Sequence, residues 1–208
     1  MGRHAVAPVQ LVVATAALAL VPVSRAAAAE DCPNADLRPT RANLERVEAA
    51  LVCTLNIERR RAGKPPVARD RRLNRSALRH TRDMIAHHYF AHQRRGERTL
   101  LGRIRRTGYF RGARSGRYSE NLGYAPPERA SAASMTHAFS LSESHRATML
   151  YGRFRDIGIG AAFVDPDPAF YADYPAVVYT FDFGRRYERR RRCSTMHSRR
   201  WCRHRGSR

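Results

Sequence analysis

His88 and His92 are four residues apart, with His87 alongside, so on a helix they would share one face, the spacing that zinc metalloproteases use to hold their metal. Those enzymes place a Glu directly after the first His as general base; position 89 here is Tyr, so protease chemistry is not expected. Ser142 and Ser144 precede His145 and invite a serine-hydrolase reading, but no G-x-S-x-G elbow is present and closeness in sequence does not make a nucleophile–base pair. Asp165, Asp167 and Asp173 lack calcium-loop spacing, and the neighbouring Phe170, Tyr171 and Tyr174 read as a hydrophobic plug for their loop. Gly158 and Gly160 fall inside a strand pattern, where close backbone approach is a simpler account than phosphate binding. His80, His137, His197 and His204 have no partner pattern and are expected to face solvent.

Four cysteines, Cys32, Cys53, Cys193 and Cys202, admit three disulfide pairings, of which 32–53 and 193–202 keep both loops short. None sits in a C-x-x-C pair, which argues against a zinc site built from cysteines. Disulfides need an oxidising compartment. The N-terminus supplies the route: Arg3 and His4, the apolar run Leu11 to Val23, then Ala26 to Ala29 before Glu30 have the pattern of a signal peptide over residues 1–29. The run is interrupted by Pro22 and is shorter than a bilayer span, so no transmembrane segment is expected after cleavage.

The 208 residues carry 39 Lys+Arg against 18 Asp+Glu, a formal charge of +21, and 43% are hydrophobic, enough for a folded core of one ordinary domain. Lys64 is the single lysine; the positive charge is arginine. Residues 185–208 hold eleven arginines against Glu188 alone, and so read as a basic tail that cannot fold by itself. Such a tail fits contact with an anionic envelope component; no nucleic-acid-binding motif accompanies it.

The elements between residues 30 and 184 follow from periodicity. Leu44, Val47, Leu51 and Leu55 mark a helix that Gly63, Pro65 and Pro66 end. Asp70 caps a second helix through Leu73, Ala77, Met84 and Ile85 to His88, and Thr99 caps a short third one that Gly108 ends. Tyr118 to Tyr124 reads as extended, and Pro127 opens a helix with Ala130, Ala133, Ala138 and Phe139 on its apolar side. Strands are expected at Ile157–Val164 and Ala176–Phe183. Helices early and strands late imply an α+β layered domain.

Asn56-Ile57-Glu58-Arg59, Asp70-Arg71-Arg72-Leu73, Tyr89-Phe90-Ala91-His92, Ser119-Glu120-Asn121-Leu122, Ser144-His145-Arg146 and Asp156-Ile157-Gly158-Ile159-Gly160, closing on Tyr179 to Gly184, resemble in order and spacing the CAP superfamily. Its members, the SCP-like extracellular domains, include cysteine-rich secretory proteins, antigen 5 and plant pathogenesis-related proteins; the likeness is to the short bacterial type and runs from about Leu51 to Gly184. It implies a secreted three-layer α/β/α sandwich over residues 30–184, expected as a monomer.

The resemblance also implies a cleft lined by His92, Glu120 and His145. Two imidazoles and a carboxylate would suit Zn2+ or another divalent cation, though no cofactor is required. A further Glu of the fuller family pattern corresponds to Ser142, Phe139 replaces a Trp, and Ser119 replaces a Gly. The leading expectation is a non-enzymatic binding or scaffold module taking a small ligand, a lipid or an envelope component; the alternative is a metal-assisted hydrolase using His92, Glu120 and His145.

Overall fold

The computed structural model describes residues 32–166 and 173–188, with the backbone of two further strands at 193–196 and 199–202. The expected signal peptide, the aromatic residues Phe170 and Tyr171, and the side chains of Cys193 and Cys202 lie outside the described residues. One four-stranded sheet organises the domain in the order β1-β3-β4-β2, from β1 (Ala68–Arg69), β2 (Ala113–Ala125), β3 (Asp156–Val164) and β4 (Ala176–Glu188). β4 runs antiparallel to both β2 and β3, while β1 joins β3 in parallel.

Strand alternation sends the side chains of β4 into two cores. Val177, Tyr179, Phe181 and Phe183 pack with α1 (Leu44–Arg61) and α4 (Ala132–Leu141). Val178 packs with Met84 of α2 (Arg71–Ala86), and Thr180 accepts a hydrogen bond from Thr81 of the same helix at 2.8 Å. Helices thus cover both faces of the sheet, which gives the expected three-layer α/β/α sandwich.

The helices form where capping and burial agree. Val47, Leu51 and Leu55 of α1 are buried, and the helix ends before Gly63, whose φ of +65° few other residues tolerate. Asp70 caps α2 by accepting the Arg72 and Leu73 amides at 2.8 and 3.2 Å. Thr99 does the same for α3 (Leu100–Arg106) through Gly102 N–H, and Ser131 for α4 through Ser134 N–H. Arg59 is fully buried and donates to the carbonyls of Pro65, Met149 and Phe154, tying the end of α1 to the turn before β3. The Cys32–Cys53 disulfide is formed as expected and fastens the start of the folded chain to α1. Closing a loop of 21 residues contributes about 3 kcal/mol in the chain-entropy view.

Several expectations change. The helix expected from Pro127 is a 3-10 turn (Pro127–Arg129) followed by α4, and Ala138 faces solvent while Met135, Thr136 and Phe139 are buried. A fifth helix, α5 (Glu143–Met149), escapes the periodicity because it is only seven residues long and buries Met149 alone. The boundary expected at Gly184 falls inside β4: Arg185, Arg186, Tyr187 and Glu188 pair with Arg117, Gly116, Ser115 and Ala113 of β2. Part of the expected tail is thus sheet, because β2 is long enough to pair it. Further along, β5 (Cys193–Met196) and β6 (Arg199–Cys202) form an antiparallel pair with Cys193 opposite Cys202 in register. Truncation after Glu188 should leave the melting temperature within about 2 °C. Truncation after Gly184, which strips four residues from the β2–β4 ladder, should lower it by about 4 °C or more in a calorimetric scan.

Candidate functional site

Glu120 lies on β2 opposite Asp182 of β4, on the face that α2 covers. Its side chain is 1% exposed, and both of its oxygens have cationic or imidazole partners. His92 Nδ1 is 2.8 Å from Oε1, and Arg103 Nη2 donates to Oε2 at 2.6 Å. Arg103, from α3, is itself nearly buried; its Nη1 donates to the His92 carbonyl at 2.9 Å and to Glu97 Oε1 at 3.2 Å. His80, from α2, is fully buried: its Nδ1 is 2.9 Å from Glu97 Oε1 and its Nε2 donates to the Ala91 carbonyl at 3.2 Å. The loop between α2 and α3 is fixed over this cluster by Tyr89, whose hydroxyl reaches Asp83 at 2.7 Å and Glu97 at 3.1 Å.

The electrostatics follow from burial and pairing. Burial works to raise the Glu120 pKa, but the hydrogen bond from His92, the neighbouring His80 and Arg103 outweigh it and hold the carboxyl below its ordinary range. Asp182 goes the other way: complete burial first, then the adjacent Glu120 charge, push it well up. Burial lowers His80 despite two nearby carboxylates. His92 is raised, chiefly by its hydrogen bond to Glu120.

His145 belongs to the opposite layer. It sits on α5, stacks on Phe139 at 4.8 Å between ring centres, and has Ser142 Oγ 2.8 Å from its Nδ1. Asn121 of β2 donates to the His145 carbonyl at 2.9 Å, and the ring also bonds the Leu122 backbone. Burial lowers its pKa, and the charge of His92 across the strand adds to that effect. His92 and His145 therefore flank the edge strand β2 from its two sides.

The structure joins His92 to Glu120 directly, pairs His145 with Ser142 on the other side of β2, and brings in three residues that sequence reasoning passed over. His80 was expected in solvent and is at the centre of the cluster; Glu97 carried no motif, and Arg103 belongs to an Arg103-Ile104 stretch that matches the family pattern without a role assigned to it. The donor set does not fit the expected metal. Among the described residues no group of three or more His, Cys, Asp or Glu could hold an ion. The reason is local: the guanidinium of Arg103 already supplies the positive charge that Glu120 faces. His87 and His88 do not join His92 on a helix, since α2 ends at Ala86 and His88 has φ of +53°.

The model of the cysteine-rich secretory protein family, CAP, matches residues 53–183. The chain belongs to the CAP family. A search of curated proteins gives no match. Among solved structures, an extracellular SCP-domain protein from Bacillus anthracis str. Ames aligns with a TM-score of 0.53 and 24% identity, over 71% of this chain and 44% of that one. An outer surface protein from Borrelia burgdorferi aligns at TM-score 0.51 and 16% identity, over 71% of this chain and 96% of that one. At these identities the likeness is one of fold. This CAP domain spans less than half of the Bacillus chain, and both neighbours are described as extracellular or outer-surface proteins.

Two outcomes test the cluster. Arg103→Met should cost about 3–5 kcal/mol in urea unfolding, because it leaves Glu120 charged and buried without its main partner. The two histidines should act oppositely with pH. His80 has a depressed folded pKa, so its contribution is complete above the unfolded value of about 6.5 and is lost as pH falls below it. His92 has a raised one, so its contribution is complete below about 6.5 and is lost as pH rises through the folded value. Between pH 8 and pH 5, His92→Ala should therefore lose stability more steeply than the parent and His80→Gln less steeply, read from urea midpoints.

Proposed function

We propose that this CAP domain is an exported binding module and not a hydrolase, with a ligand contacting the rim formed by His92, Ser142 and His145. The observation that carries this reading is the engagement of Glu120 by His92 and Arg103. A metal-assisted hydrolase would need Glu120 as base or third ligand. A carboxylate held below its ordinary pKa by His92, His80 and Arg103 is a poor base, and each of its oxygens is already engaged by His92 or Arg103. What remains for chemistry is recognition. The His92 side chain is 65% exposed, and His145 and Ser142 are partly so; together they offer donors and acceptors to a small polar ligand or an envelope component. The CAP family, the extracellular or outer-surface descriptions of both neighbours, and the Cys32–Cys53 bridge support export.

Zinc added at neutral pH should leave the melting temperature of the purified chain unchanged, since a ligand that bound only the folded state would raise it. Esterase and peptidase assays should stay at background with zinc or with chelator. A zinc-dependent rise in melting temperature or turnover that His145→Ala abolishes would restore the hydrolase reading.

A further inference from the structure

β2 and α5 enclose an open groove of about 470 Å3 that begins one helical turn beyond His145. Arg117, Tyr118 and Ser119 line it from the strand; Thr148, Tyr151 and Phe154 line it from the helix and the turn that follows. Its charge is unusual. Arg117 stands directly opposite Arg185 across the antiparallel ladder, and like charges in that position repel. Tyr187, two residues on from Arg185, lies on the same face. Among the described residues no carboxylate makes an ion pair with Arg117 or Arg185. Sheet pairing would be better served by a neutral or acidic residue at either strand position, so local stability does not account for the cluster.

Aromatic rings hold the guanidiniums. Arg117 lies 5.9 Å from the Tyr151 ring centre and Arg185 5.7 Å from that of Tyr187. A ring beneath a guanidinium fixes its plane while leaving its N–H groups for a partner in the groove. The rest of the lining is polar at its floor, where the Ser119 and Thr148 hydroxyls are 3.4 Å apart.

We propose that this groove binds a phosphorylated sugar. Two arginine forks side by side on the ladder match the several oxygens of a phosphate better than the two of a carboxylate. Tyr151 offers a flat apolar face to a sugar ring, and Ser119 and Thr148 offer donors and acceptors to its hydroxyls. An acyl chain would need an enclosed apolar cavity, and this groove is open and floored by hydroxyls. The site is separate from the His92–Glu120 cluster, so its failure would leave the binding-module reading standing.

Calorimetric titration of the full chain at 0.15 M salt with glucose 6-phosphate, glucose and inorganic phosphate tests it. Glucose 6-phosphate should bind about tenfold or more tighter than either fragment. The double variant Arg117→Gln, Arg185→Gln should lose about tenfold or more of that affinity while its melting temperature holds or rises, because the opposed charges are gone. Tyr151→Ala should weaken glucose 6-phosphate and leave inorganic phosphate unchanged. Arg105→Gln with Arg106→Gln, which removes the same charge from exposed positions at the end of α3, should change neither. Equal binding of inorganic phosphate and glucose 6-phosphate, equal losses in the groove and Arg105/Arg106 variants, or binding of anionic phospholipid vesicles through Arg117 without binding of glucose 6-phosphate would each overturn the assignment.

Discussion

Gly158 and Gly160 let the backbone of α2 lie directly on β3. A Cβ at position 158 would fall 2.0 Å from the carbonyl carbon of Leu73, and one at 160 would fall 2.2 Å from the amide nitrogen of Leu78. No side chain on the helix can yield to relieve such contacts, since the obstacle is main chain. The close approach is used at once: Thr81 donates to the Gly160 carbonyl at 3.0 Å and to Thr180, and Asn74 accepts from Ile159 N–H at 3.2 Å. The same approach carries His80 in to within 3.8 Å of Glu120. Were the helix lifted by the width of a methyl group, the polar cluster beneath it would lose its registration with β2.

That cluster shows how a small domain keeps ionised groups under a loop. Glu120, Glu97, Arg103 and His80 are all nearly excluded from water, and each isolated charge there would be costly. The cost is offset by mutual pairing: Arg103 bridges the two carboxylates, and backbone carbonyls of residues 91, 92 and 98 take further donors, with Arg103 Nε left unpartnered. The loop between α2 and α3 is therefore held by its own carbonyls as much as by its side chains, which explains how an irregular segment can cover a buried carboxylate.

Much of this architecture was legible from residue order. The caps at Asp70 and Thr99, the paired glycines of β3, the apolar run of β4 and the Cys32–Cys53 bridge follow from local chemistry, and the motifs around His92 and Glu120 mark two side chains that meet at 2.8 Å. What escaped depends on tertiary contact. His80 is indistinguishable from a surface histidine until a carboxylate from position 97 and a carbonyl from position 91 fold onto it. Arg103 sits among Arg105 and Arg106, and nothing in that basic run marks one arginine as the internal partner of Glu120. Asp182 alternates within β4 as though it faced water, yet it is wholly buried because α2 covers that face as well. The boundary at 184 failed for a related reason: composition shows where charge accumulates, not where a neighbouring strand still has free hydrogen-bonding groups.

β2 is an outer strand, so one row of its backbone donors and acceptors has no sheet partner. Such a row is the natural template for a second chain to add itself, which is how aggregation begins. The half of β2 that extends beyond the covering helices reads Ala113-Arg114-Ser115-Gly116-Arg117, is largely exposed, and holds two permanent positive charges. Another copy approaching edge to edge would bring the same charges with it and be repelled. Because arginine stays protonated at any pH a protein meets, that protection does not switch off in acid or mild alkali. The open margin of the ladder with β4 thus carries its own deterrent to edge-to-edge pairing.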